Sequence, residues 1–335
     1  MKSLRLHGIR DLRLGEEPIA EVNKGEVLIR VTAVGICGSD IHWFAEGTTG
    51  TAVLRDPLIL GHEFSGVIVD GERAGIRVAV EPTISCGDCE FCVEGNPNLC
   101  PYHSFAGQAP QDGALREYMA WPEASIFPIP DTFSEGMGAM LEPLGVALHT
   151  VDLGKLRTGM CVGVYGCGPI GLLVVQLARL SGAVEIIATD KFLHRLEAAE
   201  QMGATKLYLV KSGAERAQIS AATKGRGIDV SFETAGEQGA VETAVESCKP
   251  GGRVIICGIP RDDRTSFRAS TARRKGLTIK IVRRMKHTYP RAIELVEKNL
   301  VDVQSLISHQ FPLEDSVDAF TFAESRQGLK VIINP

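Results

Sequence analysis

Cys161-Val162-Gly163-Val164-Tyr165-Gly166-Cys167-Gly168-Pro169-Ile170-Gly171 is the stretch on which the fold turns. An apolar run of strand character ends at Gly166, and residues 172–180 continue with helical spacing. Gly166, Gly168 and Gly171 therefore stand in G-x-G-x-x-G spacing between a strand and a helix. Gly166 permits the tight turn, Gly168 lets the backbone approach a pyrophosphate, and Gly171 allows close helix–strand packing. Pro169 and Ile170 open the helix whose amino end faces the phosphates. The next apolar strand, residues 185–189, runs into Asp190, where a carboxylate can accept hydrogen bonds from an adenosine ribose and repel an extra 2′-phosphate. A dinucleotide site preferring NAD is predicted. Arg195 is taken as a further cofactor contact, with Lys191 beside it softening the preference; an ordinary solvated helix face is the alternative for both.

Outward from this motif, strand-like runs at residues 207–210, 228–232 and 253–257 alternate with helical patterns, which implies a parallel, doubly wound α/β sheet. Gly258 and Ile259 end the last of these runs, where the crevice beyond the strand ends would hold the rest of the cofactor. The first 150 residues have another texture, with short strand-like runs broken by Gly and Pro, and read as a barrel-like β domain. A helix beginning near Pro290 and a strand at residues 329–333 are expected to rejoin that domain. The division expected is 1–150 with 288–335, and 151–287.

The chain has 335 residues, ample for two cores. Its formal charge of -5 gives no concentrated positive face for nucleic acid, and no apolar run is long enough to span a bilayer. The amino terminus lacks the pattern of a signal peptide, so a reducing cytoplasm is expected and the nine cysteines call for metal or packing explanations.

Cys86, Cys89, Cys92 and Cys100 follow C-x2-C-x2-C-x7-C spacing in a loop marked by Gly87, Gly95 and Pro97. Four thiolates close a tetrahedral zinc site with no open position, so its role would be structural; an iron–sulfur cluster is the rival reading. Cys37, His62, Glu63 and Glu142 carry ligand chemistry too, but their spacing alone does not unite them.

Taken in order, Cys37-Gly38-Ser39-Asp40-Ile41-His42, Gly61-His62-Glu63, Val80-Glu81-Pro82, the four-cysteine loop, Leu141-Glu142-Pro143-Leu144 and the glycine loop resemble the medium-chain zinc alcohol dehydrogenases, and among them the polyol branch of sorbitol and xylitol dehydrogenases. The resemblance runs nearly end to end. It implies a GroES-like β-barrel catalytic domain beside a Rossmann cofactor domain, with one catalytic and one structural zinc per chain. Cys37, His62 and Glu63 would be catalytic zinc ligands, with Glu142 able to exchange roles with Glu63. Ser39 and His42 resemble the family's proton relay; a helix cap and a surface histidine are the plain alternatives. Glu142 stands where other branches carry a second cysteine, which favours the polyol branch.

Arg284, within Arg283-Arg284-Met285-Lys286, matches a substrate-contacting arginine of that branch; a solvated loop is its alternative. Trp43 and Met285 stand where sorbitol dehydrogenases usually present tyrosines, so threonine, polyol phosphates and sugar acids remain rival substrates. A nucleotide-binding scaffold without chemistry is the rival class. A homo-oligomer, tetramer or dimer, is expected, with the strand at residues 277–282 able to pair across a two-fold axis.

Overall fold

The structure, a computed structural model, describes residues 1–335. It divides into two compact units, Met1–Pro143 with Tyr289–Pro335, and Leu144–Thr288. The first cut falls after Pro143 rather than at the expected residue 150, and both positions lie inside one unbroken helix, Leu141–Gly154. The cut lies early because the later turns of this helix pack on the second unit: a Cβ at Gly145 would lie 2.7 Å from Met285 Sδ, and one at Gly154 would lie 2.6 Å from the Phe232 ring.

In the first unit a seven-stranded sheet runs Ile126–Pro128, Arg77–Val80, Glu63–Ile68, Glu26–Gly35, Lys330–Asn334 and Ile307–Pro312, with Tyr118–Pro122 also pairing along Glu26–Gly35. The pairings are antiparallel except the last two strands, which are parallel to each other. The chain thus leaves this sheet, builds the other unit, and returns to lay Lys330–Asn334 beside Glu26–Gly35. Tyr289 anchors the return: it is buried, its ring stacks on Phe127 with centroids 4.7 Å apart, and its hydroxyl donates to the Val80 carbonyl at 2.5 Å. The alternating inward residues of these strands form one apolar core around Ile29, Val31, Phe64, Met119, Trp121 and Ile333. The strand Glu63–Ile68 begins at Glu63 itself, which brings that acid into the ladder opposite Gly35.

The second unit is a six-stranded, all-parallel sheet in the order Lys206–Leu209, Glu185–Asp190, Cys161–Tyr165, Ile228–Glu233, Cys248–Ile256 and Thr278–Ile281. Numbered along the chain this is 3-2-1-4-5-6, and the order reverses between Cys161–Tyr165 and Ile228–Glu233, the switch point at which such sheets receive a ligand. Cys161–Tyr165 and Ile228–Glu233 are buried throughout, as strands covered on both faces must be.

Candidate active site and metal centres

The ladder fixes the first constellation. Glu26–Gly35 delivers Ile36 and Cys37 at its end, and Cys37 is the N-cap of the helix Gly38–Glu46. Gly61, at φ +93°, makes the turn that His62 and Glu63 follow, a conformation that a side chain would strain. Ligand atoms of Cys37, His62 and Glu63 all lie within 4.8 Å of one another. Glu142 is buried and stands outside that set, near enough to act electrostatically on Lys330 and Tyr289.

Two residues that the sequence left without a role hold this group together. Asp40 is buried in the first turn of its helix; its Oδ2 accepts from the Cys37 backbone N–H at 2.9 Å. Its Oδ1 accepts from the Gly61 N–H at 3.3 Å and lies 3.4 Å from His62 Nδ1. A carboxylate on one imidazole nitrogen orients the ring and leaves the other for a metal. Burial, the largest influence on His62, pushes its pKa down, but Asp40 and Cys37 outweigh it and hold the imidazole well above its usual value. Lys330 is the second: only 3% exposed, it donates to Glu63 Oε2 at 2.5 Å and to the Ile36 carbonyl at 3.0 Å. Burial depresses its pKa most, and Glu63 and Cys37 more than offset that, so it remains an ammonium.

This charge pattern fits a metal. Asp40, Glu63 and Glu142 are three buried carboxylates beside a cysteine thiol, and Lys330 is the one buried ammonium set against them. Buried charge without compensation costs several kcal/mol per ion, on the order that a divalent cation offsets. Sulfur, imidazole and carboxylate donors suit zinc, and three protein ligands leave a position open.

Ser39 sits in the first turn of the Gly38–Glu46 helix, two residues past the Cys37 N-cap, so it is not that helix's cap. His42 lies one turn further on, its Nδ1 3.5 Å from Glu46 Oε1. Ser39 and His42, three apart, share a helix face.

The four-cysteine lobe is built on two positive-φ glycines, Gly87 and Gly95, around the short helix Glu90–Val93. The four sulfurs lie within 4.8 Å of one another, with Cys86–Cys100 at 3.5 Å and Cys86–Cys92 at 3.9 Å. A zinc tetrathiolate with bonds of about 2.3 Å has sulfur–sulfur edges of about 3.8 Å, so the lobe has the dimensions of a closed zinc site. None of the nine cysteines is disulfide-bonded.

In the second unit Gly166, at φ +105°, makes the turn, and Gly168 is the N-cap of the helix Pro169–Leu180, with Pro169 at its first position and Ile170 next. A Cβ at Gly171 would stand 1.9 Å from the Gly166 carbonyl oxygen, whereas one at Gly168 would meet nothing nearer than Arg195 Nη1 at 3.7 Å. The middle glycine therefore opens onto space beside a guanidinium, as a phosphate cradle requires. Asp190 ends its strand and ties the loop down: Oδ2 accepts from the Cys167 N–H at 2.7 Å and Oδ1 from the Phe192 N–H at 2.9 Å. Arg195 also lies over the Phe192 ring.

Family models match both halves: the alcohol dehydrogenase GroES-like domain over residues 23–131 and the zinc-binding dehydrogenase model over residues 169–298. Sorbitol dehydrogenase from Bacillus subtilis is 38% identical over 100% of this chain and 97% of its own. The chain belongs to the zinc-binding alcohol dehydrogenases. Its fold matches L-idonate 5-dehydrogenase from Escherichia coli at TM-score 0.92 and 29% identity, covering 100% of this chain and 98% of that one. An Escherichia coli alcohol dehydrogenase solved with NADH matches at TM-score 0.90 and 30% identity, covering 100% and 99%. The chain is thereby an NAD-linked zinc dehydrogenase of the polyol branch, with the GroES-like and Rossmann-like units that its sequence led us to expect.

The dehydrogenase's remaining candidates lie in the second unit. Gly258 and Ile259 pack against the Thr234–Gly236 turn so closely that a Cβ at Gly258 would stand 2.0 Å from Gly236 N. Glu233, fully buried, pins that turn by accepting from the Ala235 and Gly236 N–H groups, each at 2.8 Å. Its only sequence signal was an acid at the end of an apolar strand. Arg284 is half-buried at φ +53°. Met285 is buried against Gly145, and Trp43 lies in the core of the first unit. Where the resemblance put tyrosine hydroxyls, this chain therefore carries packing side chains. No helix is long and apolar enough to cross a membrane.

Proposed function

We propose that this dehydrogenase oxidises a secondary hydroxyl of a polyol to a ketone, with Cys37, His62 and Glu63 as the catalytic metal ligands. The observation that carries this is the contrast between the two metal sites: one is closed by four sulfurs, the other gathers three unlike donors and leaves room for a fourth ligand. Zinc at the open site supplies a Lewis acid that makes a hydroxyl acidic near neutral pH. NAD, when bound, is the hydride acceptor. Asp40 holds His62, Lys330 holds Glu63, and Glu142 is the acid available to replace Glu63 or to receive a hydrogen bond from substrate. Ser39 and His42 carry the released proton toward solvent along one helix face, His42 passing it beside Glu46. In the second unit Gly166, Gly168, Pro169, Ile170 and Gly171 hold the pyrophosphate, Asp190 and Arg195 the adenosine ribose, and Gly258 with Ile259 the far end of the cofactor.

Sorbitol dehydrogenase at 38% identity supports the free-polyol reading. A second reading, a sugar acid, is favoured by the basic run Arg283-Arg284-Met285-Lys286 and by the structural match to L-idonate 5-dehydrogenase. The deciding experiment is NAD and NADP reduction against sorbitol, xylitol, ribitol, L-idonate, threonine and a polyol phosphate, before and after chelation and zinc return. Zinc-dependent turnover of free polyols with NAD is the expected result. Turnover confined to the anionic substrates reassigns Arg284 to carboxylate or phosphate recognition, and zinc-loaded protein inert to the whole panel removes the polyol assignment.

The Thr278–Ile281 strand ends its sheet with one edge unpaired and Ile281 exposed, which supports a homo-oligomer joined edge to edge. Light scattering that returns a monomer mass overturns this. Nine unbridged cysteines, four of them gathered at one site, support a reducing compartment.

A further inference from the structure

We infer that Lys330 is a positioning residue that weakens the grip of Glu63 on the catalytic metal and so keeps that ligand exchangeable. The inference rests on the reading of Cys37, His62 and Glu63 as metal ligands.

Three adjacent strands create the arrangement. Glu63 pairs with Gly35 on one side of the Glu26–Gly35 strand, Ile332 pairs with Gly35 on the other, and the Ile36 N–H donates to the Val331 carbonyl at 3.0 Å. Lys330 thus enters from the returning segment, and its ammonium bridges Glu63 Oε2 at 2.5 Å and the Ile36 carbonyl, next to Cys37, at 3.0 Å. One oxygen of Glu63 is occupied by a cation, which leaves Oε1 for a metal and withdraws electron density from both. Both side chains are almost wholly buried, at 2% and 3% exposure, so solvent does not screen the pair. An ammonium there competes with a metal for the same carboxylate.

Two opposing consequences follow from removing the charge. Glu63 loses an orienting partner, which weakens metal binding, and becomes a buried carboxylate without its counter-ion, which strengthens it. The second effect wins, because an uncompensated buried carboxylate penalises the metal-free state and a divalent ion removes that penalty. A lysine serving only to stabilise the fold would give the opposite sign, with looser metal in its absence.

The test is release of zinc from the purified, zinc-loaded full chain to a chelator, followed with a zinc indicator. Cys37→Ser identifies the catalytic-site phase as the one it abolishes. Lys330→Met is expected to slow that phase by about tenfold or more, the scale on which residues behind a metal ligand act, while the four-cysteine phase is unchanged. Lys330→Arg restores the wild-type rate, and in a Glu63→Gln background Lys330→Met has no effect on it. Lys330→Gln, which keeps a donor and removes the charge, gives the same slowing should the methionine variant not fold. An unchanged or faster catalytic phase in the Met or Gln variant overturns the inference while leaving the metal site intact. If Cys37→Ser abolishes no phase, the metal-site reading fails and the inference falls with it.

Discussion

Gly35 and Glu63 face each other across the ladder of Glu26–Gly35 and Glu63–Ile68, and a Cβ on Gly35 would lie 2.2 Å from Glu63 Oε2. The backbone at Gly35 is not in the left-handed region, so the demand for glycine comes from the side chain opposite. Gly35→Ala therefore displaces the carboxylate rather than straining the strand. Expected is a fall from about two zinc ions per chain to about one, with turnover lowered about 10- to 100-fold. Metal analysis beside a thermal melt checks it; a variant that keeps both zinc ions and full activity shows that the carboxylate is not needed where it stands.

Opening the four-cysteine lobe has the opposite signature. Cys92→Ser is expected to lower the melting temperature by on the order of 5 °C, the shift that about 2 kcal/mol produces in a domain of this size. Turnover per remaining zinc stays within about twofold, because a closed site offers substrate no coordination position. Calorimetry and activity normalised to zinc separate the two quantities.

Asp190 acts twice, as a candidate ribose acceptor and as the acceptor for the Cys167 and Phe192 N–H groups. Asp190→Ala should raise KM for NAD about tenfold, the loss expected for a charged hydrogen bond, and should narrow the preference for NAD over NADP. Initial rates with both cofactors decide it: an unchanged ratio means that the carboxylate serves only the loop.

Glu81 carries a pH dependence. Burial raises its carboxyl to about 7, above the usual carboxylate value. Between the unfolded value and that raised one, the unfolded chain has released its proton while the native chain still holds it. Stability is therefore lost as pH rises from about 4.5 through about 7, by at most roughly 3 kcal/mol. Glu81→Gln should flatten this slope, measured by urea melts at pH 5, 6 and 7.5; identical slopes count against a titrating Glu81.

The sequence made the cofactor unit legible because its signal is local. Strand, glycines, helix and Asp190 lie in one stretch, and the structure keeps Cys161–Tyr165 and Pro169–Leu180 where hydrophobic spacing put them. The four cysteines were legible for the same reason. Cys37, His62 and Glu63 are joined only by strand register, which spacing cannot report, and it took the family resemblance to unite them. Lys330 lies 267 positions from Glu63, within a run that reads only as strand. Asp40 stands within the Cys37–His42 motif without a legible role, because its task is to bond the backbone of Cys37 and Gly61 and to face His62, and nothing in composition marks such a task. The division of the chain at 143/144 was hidden because no break in the Leu141–Gly154 helix announces it.

The returning strand also sets an order of assembly. A ribosome delivers Cys37, His62 and Glu63 early and Lys330 almost three hundred residues after Ile36, once the whole cofactor unit has emerged. Domains tend to fold as they appear. The four-cysteine lobe, complete by residue 100, can take its metal while synthesis continues, whereas the nascent Glu63 must wait for its counter-ion. During that interval Asp40 and Glu63 stand without the ammonium that later joins them, so the last strand is the step that completes the charge balance around Cys37.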